Sequence, residues 1–113
     1  MEMIELHDLL DSCARSTPPD YYRFYAGVQA ILSKCERPKS FCDAFASALR
    51  ECEVSVREYS VRAERGDVIS REEILPAKLA FHKYKLLLGC GEKLPSAMQV
   101  LISEKSGCSI TDR

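Results

Sequence analysis

Histidine is scarce in this 113-residue chain: His7 and His82 are the only two. A serine or cysteine hydrolase sets its nucleophile beside a histidine, so any such centre would have to use one of them. No CxxC or HxxxH pair occurs, and the usual sequence sign of a zinc site is therefore missing. A GxxxxGK[ST] phosphate loop is missing too. No apolar run approaches the ~20 residues that span a bilayer. Residues 1–10 are acidic and amphipathic rather than basic and then apolar, so no secretory signal is read. Strand signals, internal repeats and low-complexity runs are all but absent. The chain also lacks an excess of one charge: 16 Lys and Arg stand against 17 Asp and Glu, a net charge of -1. That balance excludes a global attraction to nucleic acid or anionic membrane and leaves only local patches to provide one.

What the chain does carry is helical periodicity. Apolar residues make up 46% and charged residues 29%, ordinary proportions for a chain that buries one core. Between Lys39 and Arg65, the residues Phe41, Phe45, Ala48, Leu49, Cys52, Val56, Tyr59 and Ala63 recur in steps of three and four, which aligns them on one helix face. Pro38 suits a first helical turn, where its missing N–H has no partner to lose, and Gly66 supplies a stop. Such a helix, of about 27 residues, is roughly 40 Å long at 1.5 Å per residue. Its stripe cannot be buried alone, so other helices are expected along it.

The flanking segments read the same way. Glu2 to Cys13 is predicted as a short amphipathic helix with Ile4 (or Met3), Leu6, Leu9, Leu10 and Cys13 on one side and its acids on the other. Pro18 and Pro19 then break the chain. A second helix runs from near Asp20 to near Arg37, with Gly27 inside it either admitting another helix or facing solvent. Ser70 and Glu73 have the spacing of a capping box. Pro76 follows so closely that a kink is expected there, or a single turn leading into a helix from Pro76 to Leu88 that Gly89-Cys90-Gly91 ends. Leu75, Leu79, His82 and Leu86 form its apolar face, with Phe81 and Leu88 beside it. Leu94, Met98, Leu101 and Ile102 mark a last short helix, with Pro95 near its first turn. The fold class expected is all-α: a compact bundle of four to five helices around a long third helix packed against the second and fourth. One domain is expected over 1–104 and a mobile tail over 105–113.

Chemistry is harder to find. The six cysteines suit either a disulfide framework or reduced thiols; Cys35, Cys52 and Cys13 fall on apolar stripes, which favours the second and an intracellular, cytoplasmic or nuclear setting. His82 with Cys90, oriented by Glu92 or Asp67, is the best catalytic pairing on offer, and Cys35, Cys42, His82 and Cys90 the best metal set. Neither has a supporting motif around it, so the chain is read as non-enzymatic, with no cofactor and no metal. The leading expectation is a protein–protein interaction module, an adaptor or regulator, with homodimerisation as one route. Tyr22, Val54 and Val61 lie off the main stripes and are its candidate interface. The alternative is an RNA-binding helical dimer that contacts phosphates through Arg50, Arg57, Arg62 and Arg65 on the third helix and Arg71, Lys78, Lys83 and Lys85 on the fourth. Interleaved acids oppose it, notably Glu53 and Glu58 at the favourable i,i+4 spacing to Arg57 and Arg62. No membrane partner is expected.

Overall fold

A computed structural model describes residues 2–108 and 110, and among them it contains five helices and no strand. These are α1 (Glu2–Arg15), α2 (Tyr21–Lys34), α3 (Pro38–Glu64), α4 (Arg71–Gly91) and α5 (Ser96–Ser106). The all-α bundle is thus the fold, and α3, with 27 residues, is its longest element. No helix is long and apolar enough to cross a membrane, among the described residues.

The helix boundaries have local causes. The Asp20 carboxylate accepts a hydrogen bond from the Arg23 N–H at 3.0 Å and caps α2. α2 stops at Lys34, short of the expected Arg37: Cys35 is already extended (ψ 121°), and so is Arg37 (ψ 98°), where the following Pro38 disfavours the helical region. Of the two expectations at Pro76, the separate turn needs correction: α4 is one continuous helix running through Pro76. Pro76 is the sixth residue of α4, so the carbonyl it leaves without an N–H is that of exposed Glu72, in the first turn, where water can serve it. α4 ends at Gly91, within the Gly89-Cys90-Gly91 stretch expected to end it and three residues past Leu88. Gly89 and Gly91 are helical and admit neighbours: a Cβ at Gly91 would lie 3.0 Å from the Ile110 Cδ1.

One core forms around the first half of α3. Phe41, Cys42, Phe45, Ala48, Leu49 and Cys52 are buried there, among Leu6 and Leu10 of α1, Phe24 and Val28 of α2, Leu86 and Leu87 of α4 and Ile102 of α5. Ile4 is exposed instead of joining this side of α1. The expected packing of α2 along α3 also needs correction: α1, α4 and α5 flank α3, and α2 lies on α1 and α4. Gly27 permits the close approach of α2 to α1, since a Cβ there would meet the Leu9 Cδ2 at 2.4 Å.

Past Cys52 the stripe of α3 is only partly covered. Val56 and Tyr59 are half-buried and Ala63 is exposed, because α1 and α5, of 14 and 11 residues, cannot follow a rod of 27. The far halves of α3 and α4 therefore lean on each other. Their clasp is Arg62, which donates from both terminal nitrogens to the two Glu73 carboxylate oxygens at 2.9 and 3.0 Å. Glu73 also accepts from the Ser70 N–H at 3.0 Å, so the residue that caps α4 also ties it to α3. Arg62 takes this partner in place of the expected Glu58. Beyond α5, within the stretch expected as a tail, the Ile110 N–H donates to Ser103 Oγ at 3.0 Å and Ile110 is buried. Residues 109 and 111–113 of that stretch lie outside the described residues.

Two outcomes follow. Gly27→Val forces Leu9 aside and is expected to lower stability by about 1–3 kcal/mol in denaturant unfolding, the usual cost of overpacking. The Glu73 carboxyl is held below its ordinary value of 4.5, at about 2, first by the Arg62 hydrogen bonds and then by the Ser70 N–H. A depressed folded-state pKa contributes stability above the unfolded-state value and loses it as pH falls toward the folded-state one. The gap in melting temperature between wild type and Glu73→Gln should therefore be full at neutral pH, narrow as pH falls from 4.5 toward about 2, and close below that.

Candidate functional site

The connection between α1 and α2 and the first half of α4 enclose a solvent-open groove of about 560 Å³. Ala14, Thr17 and Pro19 form one wall; Leu75, Pro76 and Leu79 form the other. Leu75, Leu79 and His82 share this side because residues i, i+4 and i+7 line up on a helix. The lining is largely apolar, and its charged members, Arg15 and Lys78, are both basic. Leu75, on the apolar face expected for this helix, is 74% exposed. α1 ends at Arg15, before it can cover that turn of α4.

The groove holds no catalytic pair. His82 is half-buried within it, but Cys90 stands eight residues further along the same helix, about 12 Å at 1.5 Å per residue. Cys90 is also 4% exposed, and burial pushes its thiol up to about 12, so it carries no thiolate near neutral pH. Burial likewise raises Cys52, to about 11, and Cys13, Cys42 and Cys108. These five sulfurs fill space in the core. Among the described residues, no group of three or more His, Cys, Asp or Glu side chains is placed to hold a metal ion, so Cys35, Cys42, His82 and Cys90 do not converge.

The expected interface residues fall in two places. Val54 and Val61 are half-exposed, two turns apart on α3. Tyr22 is almost fully exposed at a second cleft, between the start of α2 and the end of α4, where Lys93 sits 5.3 Å from the centre of the Tyr25 ring. The eight candidate phosphate contacts divide as well. α3 and α4 are neighbours, as that reading requires. Arg57 is paired with Glu53, Arg62 with Glu73, Arg65 with Asp67 at 2.8 Å and Lys83 with Asp11 at 3.2 Å. Arg50, Arg71, Lys78 and Lys85 are exposed, and Lys85 lies 5.3 Å from the Phe81 ring centre.

Periodicity alone points Leu75 inward and so misses the groove. The signal that finds it is length: a 14-residue α1 cannot cover the 21 residues of α4. Comparison of the chain with protein-family models, with curated proteins and with solved structures finds no match.

A thiol reagent added to the native chain is expected to leave Cys13, Cys42, Cys52, Cys90 and Cys108 unmodified, with labelling of all five on addition of denaturant. Mass spectrometry of labelled peptides reads this directly, and rapid native labelling of Cys90 would remove the assignment of these thiols to the core.

Proposed function

We propose that the chain is a non-enzymatic protein–protein interaction module, an adaptor or regulator, that receives a segment of another protein in the groove between the α1–α2 connection and α4. Leu75 carries this reading. A lone exposed leucine is ordinary on a protein surface, but Leu75 is 74% exposed beside Pro19, Pro76 and Leu79 around one concavity. Apolar walls with a few polar groups are what an anchor side chain from a partner needs in order to be desolvated on docking. Self-association through Val54 and Val61 is a further mode of the same module, and reduced buried thiols fit a cytoplasmic or nuclear setting.

An RNA-binding dimer is the second reading, favoured by the exposure of Arg50, Arg71, Lys78 and Lys85. It ranks lower because Arg57, Arg62, Arg65 and Lys83 are already neutralised by acids of the chain, and phosphate contacts would leave Leu75 in water.

The test compares proteins crosslinked in cells to wild type, to Leu75→Asp and to a Val54→Asp/Val61→Asp variant. Leu75→Asp should reduce specific capture by about tenfold or more, as loss of an anchor does, with an unchanged circular dichroism spectrum and melting temperature. Capture indifferent to position 75 refutes the groove. Light scattering on the same variants reads self-association, and binding to duplex RNA that falls steeply with added salt would promote the second reading.

A further inference from the structure

The groove is one edge of a longer surface. Arg71, Leu75, Lys78, His82 and Lys85 follow i, i+4, i+7, i+11 and i+14, a single line down α4. Ile74 and Phe81 flank that line on the side away from the groove, and they are 39% and 46% exposed. The line extends for about 20 Å, or nearly four turns. Taken with its flank, the line sets Ile74, Leu75 and Phe81 among Arg71, Lys78 and Lys85, and no acid lies among them. The acids nearby are turned elsewhere: Glu73 clasps Arg62, Asp11 is paired with Arg15 and Lys83, and Glu72 is set about 100° round the helix from Arg71. Among the described residues no other helix covers this face between Arg71 and Lys85, where all but the half-buried His82 of the line are exposed.

We infer that the segment this surface receives is an acidic amphipathic helix, laid along α4 with its apolar residues against Ile74, Leu75 and Phe81 and its carboxylates against Arg71, Lys78 and Lys85. The inference rests on the groove reading above and adds the chemistry of the partner. Charge complementarity carries it: a helix with Asp and Glu flanking an apolar stripe meets a base at every second turn of α4, at Arg71, Lys78 and Lys85, and meets no acid on that line. The secondary structure of the partner follows from the bundle. A partner that binds by strand addition needs an exposed strand edge, and the described residues contain no strand. A helix satisfies its own backbone and needs only the side-chain surface that α4 presents. The apolar share decides against phosphate as the target, since a nucleic-acid backbone would cover Lys78 and Lys85 but offer nothing to Leu75 and Phe81.

A displayed library of random helix-length peptides, selected against the purified full chain, tests this. Enriched peptides are expected to carry apolar residues at i, i+3 or i+4, and i+7, flanked by Asp and Glu. They should lose affinity by about tenfold or more on Lys78→Glu/Lys85→Glu and on Leu75→Ser, and keep it on Val54→Asp. Melting temperatures of the variants separate lost binding from lost folding. Enriched peptides that depend on Leu75 but are neutral or basic would overturn the acidic assignment and leave the groove standing. Peptides indifferent to Leu75, or none enriched, would overturn both. Duplex RNA and phosphatidylserine vesicles are run alongside; binding of either that depends on Lys78 and Lys85 while no acidic peptide binds would overturn the inference in favour of a phosphate-bearing partner.

Discussion

Burial of the first half of α3 is the contact on which the rest of the structure depends. Phe41, Phe45 and Leu49 are fully enclosed, with the two rings 5.8 Å apart, and α1, α4 and α5 all close on them. Each such side chain contributes about 1.5–3 kcal/mol relative to exposure, so these few residues outweigh any surface ion pair of the chain. The same α3 is nearly twice as long as α1 and more than twice as long as α5. A rod buried at one end by shorter neighbours must leave its other end in need of a partner, and among the described residues α4, of 21 residues, is the next longest helix.

From that mismatch follow both the clasp and the uncovered face. Where the hydrophobic stripe thins out beyond Cys52, Arg62 and Glu73 hold α3 to α4 by charge-assisted hydrogen bonds. One face of α4 is committed to α3 in this way, and another, nearer its end, to α1 and α2. The outward face between Arg71 and Lys85 is left with its leucine, isoleucine, phenylalanine and bases in solvent. A binding surface of this kind needs no special residue chemistry. It needs only a helix that outruns its cover, together with the turn around Thr17 and Pro19 that gives the exposed face a wall.

The same packing accounts for the quiet behaviour of the reactive side chains. Cys90 is taken out of use by depth, since burial holds its proton on, and His82 is separated from it by two turns of one rigid helix. Arg57 and Arg62 of α3, and Arg65 just past its end, meet acids within their own hairpin. Of the other candidate phosphate contacts, Arg71, Lys78 and Lys85 of α4 are exposed, as is Arg50 of α3.

Helices, caps and most boundaries were legible in the residues alone, because each rests on neighbours within a few positions: the three-and-four spacing of α3, Asp20 before α2, Ser70 with Glu73 at α4. Periodicity also placed Phe45, Leu49 and Leu86 correctly in the core. It could not place Leu75, which has the same spacing and the same apolar side chain as Leu86 and yet lies in solvent. Nor could it tell that Pro76 would sit inside an unbroken helix, that Gly27 would seat α2 on α1, or that Arg62 would turn from Glu58 to Glu73. Local sequence determines which face of a helix is apolar; whether that face is covered depends on how far the neighbouring helices reach, a distance set by lengths and contacts elsewhere in the chain and expressed only once the bundle is assembled.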